Sequence, residues 1–237
     1  MQTLCRMFQY SYNVFGSDKL TPRFCRSINA ITTGADAGVR VYDSSAWLPV
    51  SVEDAIAAQN AYVSYCVAKA ESEKAIWKYV KNEKPSYSVS VLLPALIFGP
   101  PIQPITDLKK MNYSTDVFYS LFNGTYETTP PTSFPSYIDV RDLAWAHVKA
   151  LTTPAVWNQR FIVGGAQYSS QIAVNALRTV TEIGGRLPKD NQEVVPVVKF
   201  GDVKEWNEKI GLVVRTAQET FGDGAKRILE LEKILAA

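Results

Sequence analysis

A single histidine, His147, and three scattered cysteines, Cys5, Cys25 and Cys66, are all that 237 residues offer to a transition metal or a disulfide. An odd cysteine count without metal-ligand spacing excludes a disulfide framework and a zinc site, and it points to a reducing compartment. Charge of one sign is missing too. Lys plus Arg number 25 against 23 for Asp plus Glu, and the two kinds are interspersed. No field therefore steers the protein to nucleic acid or anionic lipid. No apolar run approaches the length of a membrane span. The opening MQTLCRMFQYSYNVFGSDKL lacks the continuous apolar core of a secretory signal. The sequons at Asn112 and Asn123 are accordingly expected to stay unused, and the expected setting is cytoplasmic. Repeats and low-complexity tracts are also absent.

What remains is ordinary globular composition, 46% hydrophobic and 20% charged, with length for a sizeable core and one domain or one and a half. Residues 52–82 predict one helix, with Ser51 as N-cap, Glu53 and Asp54 in the first turn, and Ala68, Ala75, Ile76, Tyr79 and Val80 on its apolar side. YSVSVLLPALIFG (87–99) follows at once and predicts a strand feeding a loop, with Pro94 beyond its centre. A helix followed by a buried strand is half of a βαβ crossover, which predicts a parallel sheet. SYIDV predicts a short strand over 137–140 before a helix over 141–151. RFIVGG (160–165) predicts another strand. The tail predicts helices over 170–183 and 218–235, with a strand in VVPVVKFG between them. The fold class is α/β.

The chemistry centres on YCVAK, residues 65–69. Tyr65 and Lys69 lie one helical turn apart, so the phenol and the ammonium share a face. When a carbonyl carbon is reduced, the developing alkoxide needs a proton, and a tyrosine can give it if its acidity is raised. A nearby ammonium favours the phenolate and so raises that acidity. The same lysine can hold a ribose, and a serine hydroxyl on a neighbouring strand can hold the carbonyl oxygen. Taken alone, the spacing is equally that of two surface residues.

Several segments in one order change that weighting. YCVAKAESEKAIWKYV resembles the Y-x-x-x-K-x-x-x-E-K-A-x-W helix of the extended short-chain dehydrogenase/reductase family, in its dihydroflavonol-reductase-like branch of fungal ketone and aldehyde reductases. VYDSSAWLPV is similar to that branch's D-E-x-x-W-x-P segment, with Ser44 where an acid is usual. LLPALIFGPP resembles its P-x-x-[IV]-x-G-P strand end, and SYIDVRDLAWAHVKAL its [FY]-[IV]-D-V-R-D segment. Ile210-Gly211-Leu212 and ETFGDGAKRILELE follow in the family's order. The resemblance implies a partial Rossmann-like parallel sheet over 23–166, with 99–136 contributing to a smaller C-terminal substrate lobe over 167–237. Residues 1–22 match nothing in the family. It also implies NADPH as reductant, with NADH the alternative donor, and a small-molecule carbonyl substrate, as in fungal secondary metabolism. Tyr65 and Lys69 become acid, pKa-lowering amine and ribose grip. Pro94 and Leu96 lie against the nicotinamide. Ser27, where RFCRS replaces the family's T-S-S, becomes the carbonyl-orienting hydroxyl. Residues 100–107 and 113–126 are expected to line the substrate pocket.

The remaining conspicuous residues carry blander expectations. His147 reads as helix packing, Arg141 and Asp142 as a helix-start ion pair and cap, and the five tryptophans mostly as core.

The family's G-x-x-G-x-x-G fingerprint, which brings backbone to a pyrophosphate at a helix N-terminus, is nowhere in the sequence. TTGADAG (32–38) has the wrong spacing and reads as a loop. The resemblance starts near Arg23, where about a hundred residues of the first βαβαβ half would precede it. The expectation is a catalytic and substrate half whose turnover depends on that cradle. The rival expectation is a non-catalytic remnant that binds a small molecule or a partner chain through an open sheet edge.

Overall fold

The computed structural model describes residues 23–25, 28–32 and 38–236. The expectations for residues 1–22, for Ser27 and for most of TTGADAG lie outside them.

Strand β1 (Arg23–Cys25) runs parallel beside β3 (Ser90–Pro94), which runs parallel beside β6 (Arg160–Val163). The chain leaves β1 through a short turn (Ile28–Ala30), β2 (Val41–Tyr42), α1 (Val52–Ala58) and α2 (Ala61–Glu83) before it enters β3. This is the predicted crossover. Every residue of β3 is buried, as a strand covered on both faces must be. Val91 and Leu93 point to the side of α2, where Cys66, Val67, Ala70 and Ile76 meet them. Leu92 points the other way, towards Leu143 and Ala146 of α4 (Val140–Thr152) and Phe161 of β6. Burying such a side chain fully is worth about 1.5–3 kcal/mol.

The single helix predicted over 52–82 is two. Gln59 adopts left-handed φ of 47° and ends α1, and Asn60 starts α2 afresh by accepting from the N–H groups of Tyr62 (2.9 Å) and Val63 (3.2 Å). A short side-chain acceptor that satisfies two otherwise unpaired amides is a strong helix start. Ser51 caps α1 as expected, and Asp54 reaches back to complete the capping box. The inward side of α2 also differs from the predicted one. Cys66, Val67, Ala70, Glu73 and Ile76 are buried, whereas Ala68 and Tyr79 are exposed. A carboxylate sits at the middle of the inward face, and counting apolar residues alone turns the face away from it.

That carboxylate, Glu73, is fully buried and paired with Arg160 at the start of β6. The guanidinium donates Nε to Oε1 at 2.7 Å and a second nitrogen to Oε2 at 3.2 Å, while Trp77 donates its indole N–H to Oε1 at 3.0 Å. The third guanidinium nitrogen donates to the carbonyls of Ser44 and Ala46, each at 2.6 Å, and the group lies 4.0 Å from the Trp47 ring centre. One buried cation thus joins α2, β6 and the DSSAW segment. Ser44, the departure from the usual acid, is buried as well; its hydroxyl accepts from the Ile162 N–H at 3.3 Å.

The run 87–99 is also two strands. Pro94 has no N–H to extend the ladder, and after Ala95 the chain enters β4 (Leu96–Phe98) in a different sheet, parallel to β5 (Ser136–Asp139). β7 (Ala166–Gln167) closes that sheet antiparallel to β5, reached from β6 through Gly164 and Gly165. Gly164 has φ of 81°, and a Cβ there would meet Ile138 at 2.7 Å, so only glycine allows this crossing.

Below the second sheet, α3 (Tyr113–Ser120), α5 (Ser170–Leu177) and α7 (Ala217–Ala236) enclose an aromatic core. Phe98 meets Tyr168 at 5.0 Å and Phe221 at 5.4 Å between ring centres. Gly224 of α7 lets helix backbone reach strand-end backbone; a Cβ there would lie 2.9 Å from Phe118 and 3.2 Å from Gly99. The VVPVVKFG strand shrinks to β8 (Lys199–Phe200), parallel to β2. It precedes α6 (Val203–Lys209), whose Trp206 stacks on Phe161. Trp145, expected in the core, is 45% exposed.

The start of α4 differs from the expected Arg141–Asp142 pair. Asp139 is the cap, accepting from the Arg141 N–H and from its guanidinium at 3.0 and 2.8 Å, and Arg141 reaches Asp223 of α7 at 2.7 Å. Asp142 instead pairs with Arg215. Burial pushes the Asp139 carboxyl up, but the hydrogen bonds from Arg141 outweigh it and hold the group below its ordinary 3.8.

Two outcomes test these links. Glu73→Ala strands a buried guanidinium and should cost about 3–5 kcal/mol in urea unfolding followed by tryptophan fluorescence; a loss under about 1 kcal/mol would show the pair to be peripheral. Asp139→Asn should cost about 1.5–3 kcal/mol at pH 7, as hydrogen bonds to a charged group do. Because the folded carboxyl is the stronger acid, its contribution is complete above the unfolded value and fades as pH falls below about 4. The gap between wild type and Asp139→Asn should close there.

Candidate active site

A cavity of about 550 Å³ opens where the Ile28–Ala30 turn, the first turns of α2, the β3–β4 junction and the start of α3 converge. One wall is the continuous stretch Pro94, Ala95, Leu96 and Ile97. Tyr62 and Tyr65 of α2 form another side, with Asn29, Phe134 and Tyr113 between them. Among the described residues that line it, none is charged. The break at Ala95 creates the first wall, and the Asn60 cap fixes the rotation of α2 that presents both tyrosines.

Tyr65 and Tyr62 keep 46% and 44% of their surface exposed while both line the cavity. The Lys69 ammonium lies 5.2 Å from the centre of the Tyr65 ring; the structure brings the pair together, with Lys69 beside the cavity rather than in its lining. Pro94 and Leu96 are both in the wall, where a flat ring would rest. Ser27 lies outside the described residues. Of the expected pocket segments, Tyr113 and Ser114 border the cavity, while Pro100, Pro101 and Gln103 line a smaller neighbouring one of about 190 Å³.

Sequence reasoning missed Asn29, Tyr62 and Cys66. The Asn29 amide donates to the Tyr62 hydroxyl at 2.8 Å, and the buried thiol of Cys66 lies within hydrogen-bonding reach of both. Burial, reinforced by the neighbouring Cys66, pushes the Tyr62 phenol far above the ordinary tyrosine value, and burial pushes the Cys66 thiol up as well. Tyr62 therefore stays protonated. The signal was in the sequence: Tyr62 and Cys66 have the same i, i+4 spacing as Tyr65 and Lys69, but a thiol is a less conspicuous partner than an ammonium. His147, as expected, packs in its helix, with Nδ1 2.7 Å from the Leu143 carbonyl oxygen.

These surroundings fit the nicotinamide and ribose end of a dinucleotide. The Pro94–Ile97 wall would take the flat face, and the Tyr65 hydroxyl and Lys69 ammonium would take the ribose hydroxyls. Among the described residues no cluster could hold a metal ion, and no helix is long and apolar enough to cross a membrane.

No family model matches the chain. It is 32% identical over 196 residues to a putative uncharacterized oxidoreductase of Schizosaccharomyces pombe, covering 82% of this chain and 58% of that protein. It is 31% identical over 195 residues to the ketoreductase azaE of Aspergillus niger, covering 80% and 57%. The chain thus spans little more than half the length of these curated relatives. Among solved structures, yeast methylglyoxal/isovaleraldehyde reductase Gre2 in complex with NADPH superposes with a TM-score of 0.81 at 25% identity, over 95% of this chain and 68% of that one. By these likenesses the chain belongs to the extended short-chain dehydrogenase/reductase family, beside its Gre2-like ketoreductases.

Proposed function

We propose that this chain forms the carbonyl-binding and proton-donating part of an NADPH-dependent reductase of small ketones or aldehydes. The observation that carries the reading is Tyr65 in a cavity with no charged residue among its described lining, with the Lys69 ammonium beside its ring and Pro94–Ile97 in the same lining. The likeness to a reductase solved with NADPH supports the choice of cofactor.

When bound, the reduced nicotinamide would supply a hydride, two electrons together with the hydrogen that ends on the carbonyl carbon. The chain's own residues do the rest. The apolar wall holds the substrate away from water, which strengthens every polar contact inside. The Tyr65 hydroxyl donates to the carbonyl oxygen and gives up its proton as negative charge develops there. Lys69 places a positive charge beside the ring that loses the proton. Solvent at the exposed mouth returns the proton to Tyr65. Ser27 is proposed as a second donor to the same oxygen. The products are the alcohol and the oxidised cofactor.

The test is NADPH fluorescence titration, and NADPH consumption with a short aldehyde, using a form of the protein that also carries the Gly-rich cradle. Tyr65→Phe should lower turnover by about 10²-fold or more, the usual worth of a positioned acid, and leave nucleotide affinity near normal. Lys69→Ala should lower both. Full rate in Tyr65→Phe would place the acid elsewhere. A cradle-bearing form that binds no NADPH would favour the non-catalytic rival.

A further inference from the structure

Two residues of the cavity lining, Ser133 and Phe134, belong to neither a helix nor a strand. Such a stretch takes its place from the groups bonded to it. Here those groups come from a second irregular stretch, residues 190–198, and from Lys189 just before it. The Thr129 N–H donates to the Lys189 carbonyl at 2.8 Å, the Lys189 N–H to the Glu127 carbonyl at 2.9 Å, and the Asn191 side-chain amide to the Thr129 carbonyl at 2.8 Å. The last link before the cavity is of a different kind. The Glu193 carboxylate accepts the Thr132 N–H at 3.1 and 3.0 Å on its two oxygens and the Thr132 hydroxyl at 2.8 Å. That hydroxyl in turn accepts the N–H of Ser170, the first residue of α5, at 3.1 Å. A chain of hydrogen bonds therefore runs from a helix start through a hydroxyl to an anion, and each link polarises the next. Thr132 directly precedes the two residues of the wall, and Phe134 is buried in the core shared with α2 and β3. Beyond Glu193, Pro196 lies against Gly38 and Val198 enters that same core, so the stretch that carries Glu193 is held at both ends.

We propose that Glu193, which is not part of the cavity lining, is a positioning residue for ligand binding: acting through Thr132, it holds Ser133 and Phe134 in the cavity wall before a ligand arrives. This deepens the reading of the cavity as a carbonyl site and rests on it. A wall ordered beforehand spares the ligand the cost of ordering it. Glu193 is itself exposed, and exposed carboxylates add little to global stability, so its effect falls on the wall rather than on folding.

The test needs neither cofactor nor turnover. Hexan-2-one is titrated into the full 237-residue chain and followed by NMR, with backbone order parameters and urea unfolding measured on the same samples. Glu193→Ala should weaken the ketone about tenfold, because the ligand must then order the wall itself. It should also lower the order parameters of Ser133 and Phe134 below the rigid-backbone value of about 0.85 and leave the urea midpoint where it was. Glu193→Gln, which keeps an acceptor oxygen at the same reach, should restore most of both. Thr132→Val, which removes the hydroxyl and keeps the N–H, should give a smaller loss in the same direction. Unchanged affinity or unchanged order parameters in Glu193→Ala would overturn the positioning role and leave the carbonyl site standing. A loss of affinity matched by a fall in the urea midpoint would overturn it too, since any structural defect gives that result. Wild type that binds no ketone would overturn the reading of the cavity, and the ligand role of Glu193 with it.

Discussion

The buried pair between Glu73 and Arg160 is the constraint on which the site depends. A charge can be taken out of water only if its partners replace what water gave it, and here almost every guanidinium and carboxylate position is used. The partners come from a helix, a strand and a loop that are far apart in sequence. Once they are joined, α2 can neither roll nor slide against the sheet without breaking charge-assisted bonds. Lys69 and Tyr65 lie one and two turns before Glu73 on the same helix, so their placement follows from it.

A second consequence concerns division of labour between two like groups. Tyrosine is one residue type, but one turn of helix changes what it can do. Tyr62 and Tyr65 are about equally exposed, 44% and 46%, but Tyr62 has the Asn29 amide on its hydroxyl and a neutral thiol beside it, whereas Tyr65 has a cation beside its ring. Position on the helix thus gives the two phenols different electrostatic surroundings.

Much of the architecture was legible because its signals were local. The alternation of apolar and polar residues, the Ser51 cap, the βαβ order and the Tyr65–Lys69 spacing all lie within a few residues of one another. What was not legible was set by distant partners. The true inward face of α2 is centred on Glu73, and nothing nearby in sequence announces Arg160, 87 residues later. The split of 87–99 depends on two different neighbours, β6 and β5, pulling its halves into separate ladders. Asn29 looks like any turn residue until the fold brings it under Tyr62. The pairing of Arg141 with Asp139 and Asp223, rather than with Asp142, likewise needed α7 in place.

Gly224 adds a mechanical note. Where most helices meet a sheet through side chains that can readjust, α7 rests its bare backbone on the turn at Gly99, only two residues beyond the Ile97 wall. There is no cushion between them. A change in the tilt of this outermost helix is therefore passed straight to the chamber, and shifts in ligand preference can arise from residues that no ligand ever touches.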